Sequence, residues 1–139
     1  MIKKVLLDTG PLVAFVNKRE NLHQWAVNQW KNIEPPLLTC EAVITEACFL
    51  LQEVYGGEDA VMGLISSGCL QIPFSLHEEI EVVRELMRRY QSIPMSLADA
   101  SLVRMSELDN ESIVLTIDSD FLIYRKNRNQ SIGVIIPNS

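Results

Sequence analysis

Short apolar runs alternate along this chain with segments in which apolar residues recur every three or four positions. The apolar runs are rich in leucine and β-branched residues, which is typical of strands buried on both faces of a sheet. They lie at residues 3–8, 37–39, 70–74, 112–117 and 132–136. The periodic segments predict helices. These helices cover residues 12–17, 23–33, 42–54, 58–66, 76–90, 97–108 and 120–125.

Residues that start or stop helices mark several boundaries in this pattern. Pro11 suits the first turn of a helix, and the pair at 35–36 ends the second helix. Ser96 is followed three residues later by Asp99, which is the spacing of a capping box at a helix start. Strands that alternate with helices in this way predict an α/β protein with a parallel sheet covered on both faces.

The length and composition of the chain fit a single domain. With 139 residues, of which 47% are hydrophobic and 22% charged, the chain can bury its own core, and we expect one domain over residues 1–139. No apolar run approaches the roughly 18 residues that a membrane span requires. Residues 1–4 lead into a strand without the apolar segment of a signal peptide. We therefore expect a cytoplasmic protein with no membrane segment.

Charge and cysteine content narrow the classes of function. The formal net charge is −6 and the pI is about 4.9, which argues against tight, unspecific coating of nucleic acid. A nuclease remains open, because an acidic metal site contributes negative charges of its own. Cys40, Cys48 and Cys69 form no C-x-x-C pair, and the only histidines are His23 and His77. We expect reduced cysteines and no zinc site.

Acidic residues lie where several predicted elements begin, end or turn inward. Asp8 and Asp118 close two of the apolar runs. Asp99 lies in the first turn of a predicted helix, and Glu46 interrupts the apolar stretch 42–51. If the fold brings these side chains together, their mutual repulsion must be relieved by protons or by a hard cation. An acidic pocket that holds Mg²⁺ or Mn²⁺ is equipped for phosphodiester hydrolysis.

Each of these acids also has a plain structural explanation. Asp8 could cap the helix that follows it, Asp118 could form an Asx turn, and Asp99 could complement a helix dipole. Glu46 could be a half-exposed side chain at the edge of an apolar stripe, although a charge beside such a stripe needs a partner. Ligands of parallel sheets bind beyond the carboxyl ends of the strands, but the sequence leaves open whether the strands before Asp8 and Asp118 are neighbours.

The order and spacing of the acidic motifs match those of a known family. The motifs lie at residues 6–14 (LLDTGPLVA), 44–47 (ITEA), 96–100 (SLADA) and 115–121 (LTIDSDF). Together they resemble the four acidic motifs of a PIN domain, as found in VapC-type toxins and related ribonucleases. Residues 21–26 are similar to the segment that leads into the second helix of that family. The resemblance covers essentially the whole chain, and all four acids are intact.

This resemblance implies a fold, an activity and a set of site residues. The fold would be a three-layer α/β/α sandwich with a five-stranded parallel sheet, and the activity would be hydrolysis of RNA that depends on Mg²⁺ or Mn²⁺. By position, the catalytic and metal-binding carboxylates would be those of Asp8, Glu46, Asp99 and Asp118, with Asp120 as an additional metal ligand. Thr9 and Thr116 would orient these carboxylates or a water bound to the metal.

An RNA substrate also requires cations near its phosphates. Two groups of basic residues neighbour the acidic motifs, and we expect them to contact RNA phosphates. They comprise Lys18, Arg19, Arg125, Lys126 and Arg128. A solvated surface explains these basic residues equally well.

Apolar helix residues and the family resemblance together indicate protein partners. The predicted helices carry more apolar residues than a small three-layer domain easily hides, and with the family resemblance this leads us to expect a homodimer. These residues are Trp25, Trp30, Val61, Met62, Ile65 and Met87. If the chain is the toxin of a toxin–antitoxin pair, an antitoxin protein is a further partner. The alternative function is a catalytically silent PIN-like module that binds RNA or protein, and the intact acids argue against it.

Overall fold

The computed structural model of this protein describes residues 1–138. Strands and helices alternate along them as expected for an α/β protein. The elements are β1 (Val5–Leu7), α1 (Thr9–Val16), α2 (His23–Lys31), β2 (Leu37–Leu38), α3 (Glu41–Leu50), α4 (Gly57–Ser66), β3 (Leu70–Gln71), α5 (Leu76–Arg89), α6 (Leu97–Leu108), β4 (Ile113–Leu115), a 3₁₀ helix (Ser119–Leu122), β5 (Arg125–Lys126), β6 (Gln130–Ser131) and β7 (Val134–Ile135).

Five strands form one parallel sheet in the order β3-β2-β1-β4-β7, which confirms the predicted fold class. Leu6 in β1 pairs with Leu38 on one side and with Val114 on the other. The chain moves outward from β1 through β2 to β3 and then returns to β4 on the opposite side of β1. The gap between β1 and β4 is therefore the switch point at which parallel sheets bind ligands.

Helices cover both faces of this sheet. The crossovers from β1 to β2 and from β2 to β3 run in one direction across the sheet, and the crossover through α5 and α6 to β4 runs in the other. Right-handed connections then place α1 to α4 on one face and α5 and α6 on the opposite face. Because both faces are covered, all of Val5–Leu7 is buried, as the continuous apolar run predicted.

The segment between β4 and β7 differs from the sequence prediction. A helix is predicted over 120–125, whereas the structure has a 3₁₀ helix at Ser119–Leu122 followed by a hairpin of β5 and β6. Asn127 and Arg128 in the hairpin loop have positive φ angles of 49° and 74°. Such turns are usually marked by glycine, as in Asn-Gly. Because this loop contains no glycine, the hairpin left no clear signal in the sequence.

The apolar helix residues that favour a dimer are only partly exposed. Val61 is fully buried, whereas Met62 is 44% exposed and Met87 is 37% exposed. Trp30 is partly buried and stacks on Phe15, with the ring centroids 3.9 Å apart. Homodimer formation therefore stays a prediction, supported by a smaller apolar surface on these helices than the sequence led us to expect.

The cysteines are free, with Cys40 buried and the other two partly buried, as expected for reduced thiols. Burial raises the pKa of the Cys40 thiol, so this thiol stays protonated and unreactive at neutral pH. Among residues 1–138, no helix is both long enough and apolar enough to pass through a membrane.

Candidate active site

Asp8 lies at the carboxyl end of β1 and caps α1, which begins earlier than predicted, at Thr9. Its Oδ1 accepts a hydrogen bond of 2.8 Å from the backbone N–H of Thr9, and its Oδ2 accepts one of 2.7 Å from the Thr116 hydroxyl. The pKa of Asp8 is raised to about 6, mainly by burial and in smaller part by nearby Asp99 and Asp118, despite these hydrogen bonds. Asp8 is thus a helix cap whose carboxylate also lies close to two other acids.

Thr116 joins the ends of the two neighbouring strands. It is fully buried and directly follows β4. Its hydroxyl donates to Asp8 Oδ2 and accepts a hydrogen bond of 2.9 Å from the backbone N–H of Asp118. The adjacency that the sequence left open is therefore present, because β1 pairs with β4 and one side chain bonds to the acid at each strand end.

Asp99 lies in the first turn of α6 and is 8% exposed. The predicted capping box is complete: Ser96 Oγ accepts from the Asp99 N–H at 3.0 Å, and Asp99 Oδ2 accepts from the Ser96 N–H at 3.3 Å. Burial raises the pKa of Asp99, and Asp118 adds to the rise. Asp99 therefore combines the structural role considered for it with a position beside the other acids.

Tyr124 contacts this site, although the sequence did not identify it. Its hydroxyl donates a hydrogen bond of 3.1 Å to Asp99 Oδ2, and its side chain is fully buried. Burial raises the pKa of Tyr124, and Asp99, Asp120 and Asp118 raise it further. The hydroxyl consequently stays protonated and remains a hydrogen-bond donor. No signal in the sequence separated this tyrosine from an ordinary core aromatic residue.

Asp118 and Asp120 lie on the open side of the cluster, where both are partly exposed. Asp118 caps the 3₁₀ helix, with its Oδ1 accepting a hydrogen bond of 2.9 Å from the Asp120 N–H. This is the Asx turn considered for Asp118. The same carboxylate also contributes to the raised pKa of Asp8 and of Asp99, so it faces the buried acids as well.

Glu46 approaches the cluster from α3. The residue as a whole is exposed. Its carboxyl group is nevertheless partly buried, and this burial is the main cause that raises the pKa of Glu46, with Asp99 as the second cause. The Thr9 hydroxyl lies near this carboxylate and lowers its pKa slightly. That approach does not have the geometry of a full hydrogen bond, and the buried Thr9 Oγ1 has no partner among residues 1–138.

The donor atoms of the cluster fit a hard divalent cation. Carboxylate and hydroxyl oxygens are the ligands that Mg²⁺ prefers, and the buried Thr9 Oγ1 is a polar atom that still lacks a partner. Among residues 1–138, no three His, Cys, Asp or Glu side chains are close enough to hold an ion by themselves. Mg²⁺ commonly keeps several waters and binds proteins through only one or two carboxylates.

The basic residues near β5 differ in how available they are to a ligand. Lys126 is 7% exposed, and its Nζ donates a hydrogen bond of 3.1 Å to the carbonyl of Asn110. The Arg125 guanidinium donates to the carbonyls of residues 122–124. Both side chains thus stabilise the fold locally, while Arg128 is exposed in the hairpin loop.

Lys18 and Arg19 are both exposed in the loop after α1. Among residues 1–138, neither of them forms an ion pair. Of the basic residues expected to contact phosphate, Lys18, Arg19 and Arg128 are therefore the ones whose charges face solvent.

Comparison with known proteins bears on the family and the fold. The family model described as PIN domain matches residues 5–127. Among solved structures, the chain is similar to VapC20 from Mycobacterium tuberculosis, a sarcin-ricin loop cleaving toxin, with 20% identity and a TM-score of 0.74 over 84% of this chain and 91% of that chain. It is also similar to VapBC2 from Rickettsia felis bound to a DNA fragment from their promoter, with 16% identity and a TM-score of 0.62 over 99% of this chain and 100% of that chain. No curated protein matches.

Proposed function

The chain belongs to the PIN domain family, and from this premise we propose that it is an endoribonuclease that hydrolyses RNA with Mg²⁺ or Mn²⁺ as cofactor. The observation that carries the proposal is the convergence of three acids, since Thr116 bonds both to Asp8 and to the backbone of Asp118, and Asp99 and Asp118 both raise the pKa of Asp8. Buried like charges destabilise a fold. Their presence at the switch point of the sheet favours a catalytic role over a purely structural one.

We assign the metal and catalytic roles to the carboxylates of the cluster. Those that would hold the ion, one or two directly and the others through its waters, are Asp8, Glu46, Asp99 and Asp118, with Asp120 at the open edge. When bound, the ion supplies Lewis acidity toward the phosphate and lowers the pKa of an attacking water. Thr116 and Tyr124 hold Asp8 and Asp99 in fixed orientations, and an ionised carboxylate of the cluster accepts the proton of the water.

Cations outside the cluster would hold the RNA backbone. We propose phosphate contacts for Lys18, Arg19 and Arg128, which are exposed. Arg125 and Lys126 contribute by holding the hairpin that carries Arg128. With a net charge of −6, the protein would bind RNA locally through these residues, and not through a uniformly basic surface.

We place this activity in the setting of a toxin–antitoxin pair. One similar structure is a toxin that cleaves the sarcin-ricin loop and another is a VapBC complex, which supports an antitoxin protein as a partner. We further propose that residues 1–139 act as one domain, that the protein forms a homodimer, and that it works in the cytoplasm. Light scattering that gives a monomer mass at micromolar concentration would contradict the dimer.

Cleavage of a mixed RNA pool tests the nuclease assignment. We expect cleavage with Mg²⁺ or Mn²⁺, none in EDTA, and none by Asp8→Asn. The matched control is Asp59→Asn, an exposed aspartate in the first turn of α4, which should cleave as wild type does. As a second readout, Mn²⁺ should raise the melting temperature of the wild type, because an ion that binds only the folded state stabilises it. Cleavage that survives EDTA or Asp8→Asn would refute the proposal.

A further inference from the structure

A cleft of about 600 Å³ lies between the loop after α1 and the loop after α3. Its walls include Lys18 and Arg19 on one side and Glu53, Val54 and Tyr55 on the other. Although Glu53 adds one negative charge, the cleft thus brings two solvent-facing cations together with an aromatic side chain. This combination is the one that proteins use for single-stranded nucleic acid, in which cations hold phosphates and an aromatic ring stacks on a base.

Tyr55 is the most exposed of the large apolar residues of this chain, with a relative exposure of 105%. The backbone around it is nevertheless well held. The Val54 N–H donates to the Leu51 carbonyl and the Gly57 N–H to the Val54 carbonyl, each at 2.9 Å, and Leu51 is fully buried. The ring is therefore presented to solvent from an anchored turn, which lowers the entropy that a stacking partner must remove.

The loop that carries the cations is also ordered by its own hydrogen bonds. Asn17 Oδ1 accepts a hydrogen bond of 3.1 Å from the Arg19 N–H, and the Asn17 carbonyl accepts one of 3.1 Å from the Glu20 N–H. The His23 ring nitrogen Nδ1 bonds to the Ala14 carbonyl at 2.7 Å and ties α2 to the end of α1. The backbone of both walls is consequently held in place before any ligand arrives.

The position of the cleft relates it to the acidic cluster. Asp8 caps the N-terminus of α1, and the cleft begins at the opposite end of this helix, at Val16. Eight residues of helix, Thr9–Val16, correspond to roughly 12 Å at about 1.5 Å per residue. This is a distance that a few nucleotides of a single strand can span.

We propose that this cleft binds an unpaired nucleotide of the RNA substrate, at a subsite a few nucleotides from the scissile phosphate. Lys18 and Arg19 hold its backbone phosphates and the Tyr55 ring stacks on its base. The inference rests on the proposed ribonuclease function. It adds that the substrate is single-stranded where it crosses the cleft, because a paired base does not offer a free face to the ring.

Binding of a fluorescent single-stranded RNA, measured by anisotropy in EDTA so that no cleavage occurs, tests the subsite apart from catalysis. Tyr55→Ala should raise the Kd about tenfold, in line with the loss of one stacked base, whereas Tyr55→Phe should bind as wild type. Phe49→Ala, which removes another exposed aromatic ring, is the matched control and should leave the Kd unchanged. A fully paired RNA should show no difference between wild type and Tyr55→Ala.

The salt dependence of RNA binding distinguishes the contribution of the two cations from that of the Tyr55 ring. The double variant Lys18→Ala/Arg19→Ala should reduce the slope of log K against log salt by about 1.4, since each lost phosphate contact on a single strand lowers it by about 0.7. Tyr55→Ala should leave the slope unchanged. The control Lys3→Ala/Lys31→Ala removes two exposed cations near the amino edge of the sheet and should keep the wild-type slope.

The proposed subsite would be overturned if Tyr55→Ala bound single-stranded RNA with the Kd of the wild type. It would also be overturned if the double variant of Lys18 and Arg19 kept the wild-type slope of log K against log salt. A wild-type protein that does not bind single-stranded RNA at low salt would overturn it as well. Absence of cleavage by wild type with Mg²⁺ or Mn²⁺ would instead overturn the proposed nuclease function, so the two failures are distinguishable.

Discussion

The hydroxyl of Thr116 donates a hydrogen bond of 2.7 Å to Asp8 Oδ2, across 108 positions of sequence. The hydroxyl oxygen of Thr116 also accepts a hydrogen bond from the backbone N–H of Asp118. One buried side chain therefore sets the orientation of the Asp8 carboxylate and the position of the residue that carries the Asp118 carboxylate. We expect activity to be sensitive to Thr116 even though this residue is not among the proposed metal ligands.

Thr116→Val tests this relationship. Valine keeps the shape of threonine but removes the hydroxyl, so both hydrogen bonds are lost and Asp8 can rotate. We expect a loss of roughly 10- to 100-fold in metal-dependent cleavage, the range typical of groups that orient a metal-binding side chain. Thr116→Ser retains the hydroxyl and should recover most of the activity. Full activity of Thr116→Val would show that Asp8 does not depend on this contact.

Asp99→Asn and Asp118→Asn should each abolish most metal-dependent cleavage while the fold survives. Asparagine keeps a carbonyl oxygen that can accept from Ser96 or from Asp120, so the caps are largely maintained, and it removes one negative charge from a repelling cluster. Melting temperatures in EDTA should therefore equal or exceed that of wild type. A lost helix cap would instead destabilise by about 1 kcal/mol.

Asp120, which lies two residues beyond Asp118 at the open edge of the cluster, supplies the control for this pair. Asp120→Asn should reduce cleavage less than Asp118→Asn, since Asp118 occupies the strand-end position. Wild-type cleavage by Asp99→Asn or Asp118→Asn, or unfolding several degrees earlier, would remove that residue from the catalytic set.

Tyr124→Phe isolates the hydroxyl that bonds to Asp99. The ring remains packed against Phe121, with centroids 5.3 Å apart, so the core is preserved. Without the donor at 3.1 Å, Asp99 is less firmly oriented, and we expect roughly tenfold weaker apparent affinity for Mn²⁺ in a cleavage titration. Saturating Mn²⁺ should restore part of the rate. An unchanged titration midpoint would assign Tyr124 to packing alone.

Stability of the metal-free protein should fall as pH rises through the weakly acidic range. The folded state raises the pKa of Asp8 from an ordinary 3.8 to about 6, so it binds the proton more tightly than the unfolded chain does. Between these values the unfolded chain carries fewer protons on Asp8, and the free energy of unfolding decreases with increasing pH. The raised pKa values of Asp99 and Glu46 act in the same direction.

Urea denaturation in EDTA at several pH values measures this effect. Between about pH 4 and about pH 6, the titration of Asp8 should lower the free energy of unfolding of the wild type by an amount on the order of 3 kcal/mol. This decrease should be absent in Asp8→Asn, which has no carboxyl group at this position. The difference between wild type and variant is the informative quantity, because other acids titrate in both. Saturating Mn²⁺ should suppress the decrease in the wild type. A wild-type stability that rises relative to Asp8→Asn over this range would contradict the prediction.

The sequence by itself determined the fold class and identified acids that the structure brings close together. Continuous apolar runs require strands buried on both faces, and such strands alternating with amphipathic helices lead to a parallel sheet. Local chemistry also marked the start of α6, since Ser96 and Asp99 bond to each other within one turn. These features depend on residues close together in the chain, so a single sequence contains enough information to predict them.

Only the tertiary structure decided which residues surround those acids. The pairing of β1 with β4, the bond from Tyr124 to Asp99 and the burial of Lys126 each join residues that are distant in sequence or that carry no distinctive local signal. A tyrosine or lysine has the same identity in a core, at a site or on a surface. Its role follows from which groups packing brings within hydrogen-bonding distance, and that depends on the arrangement of the whole chain.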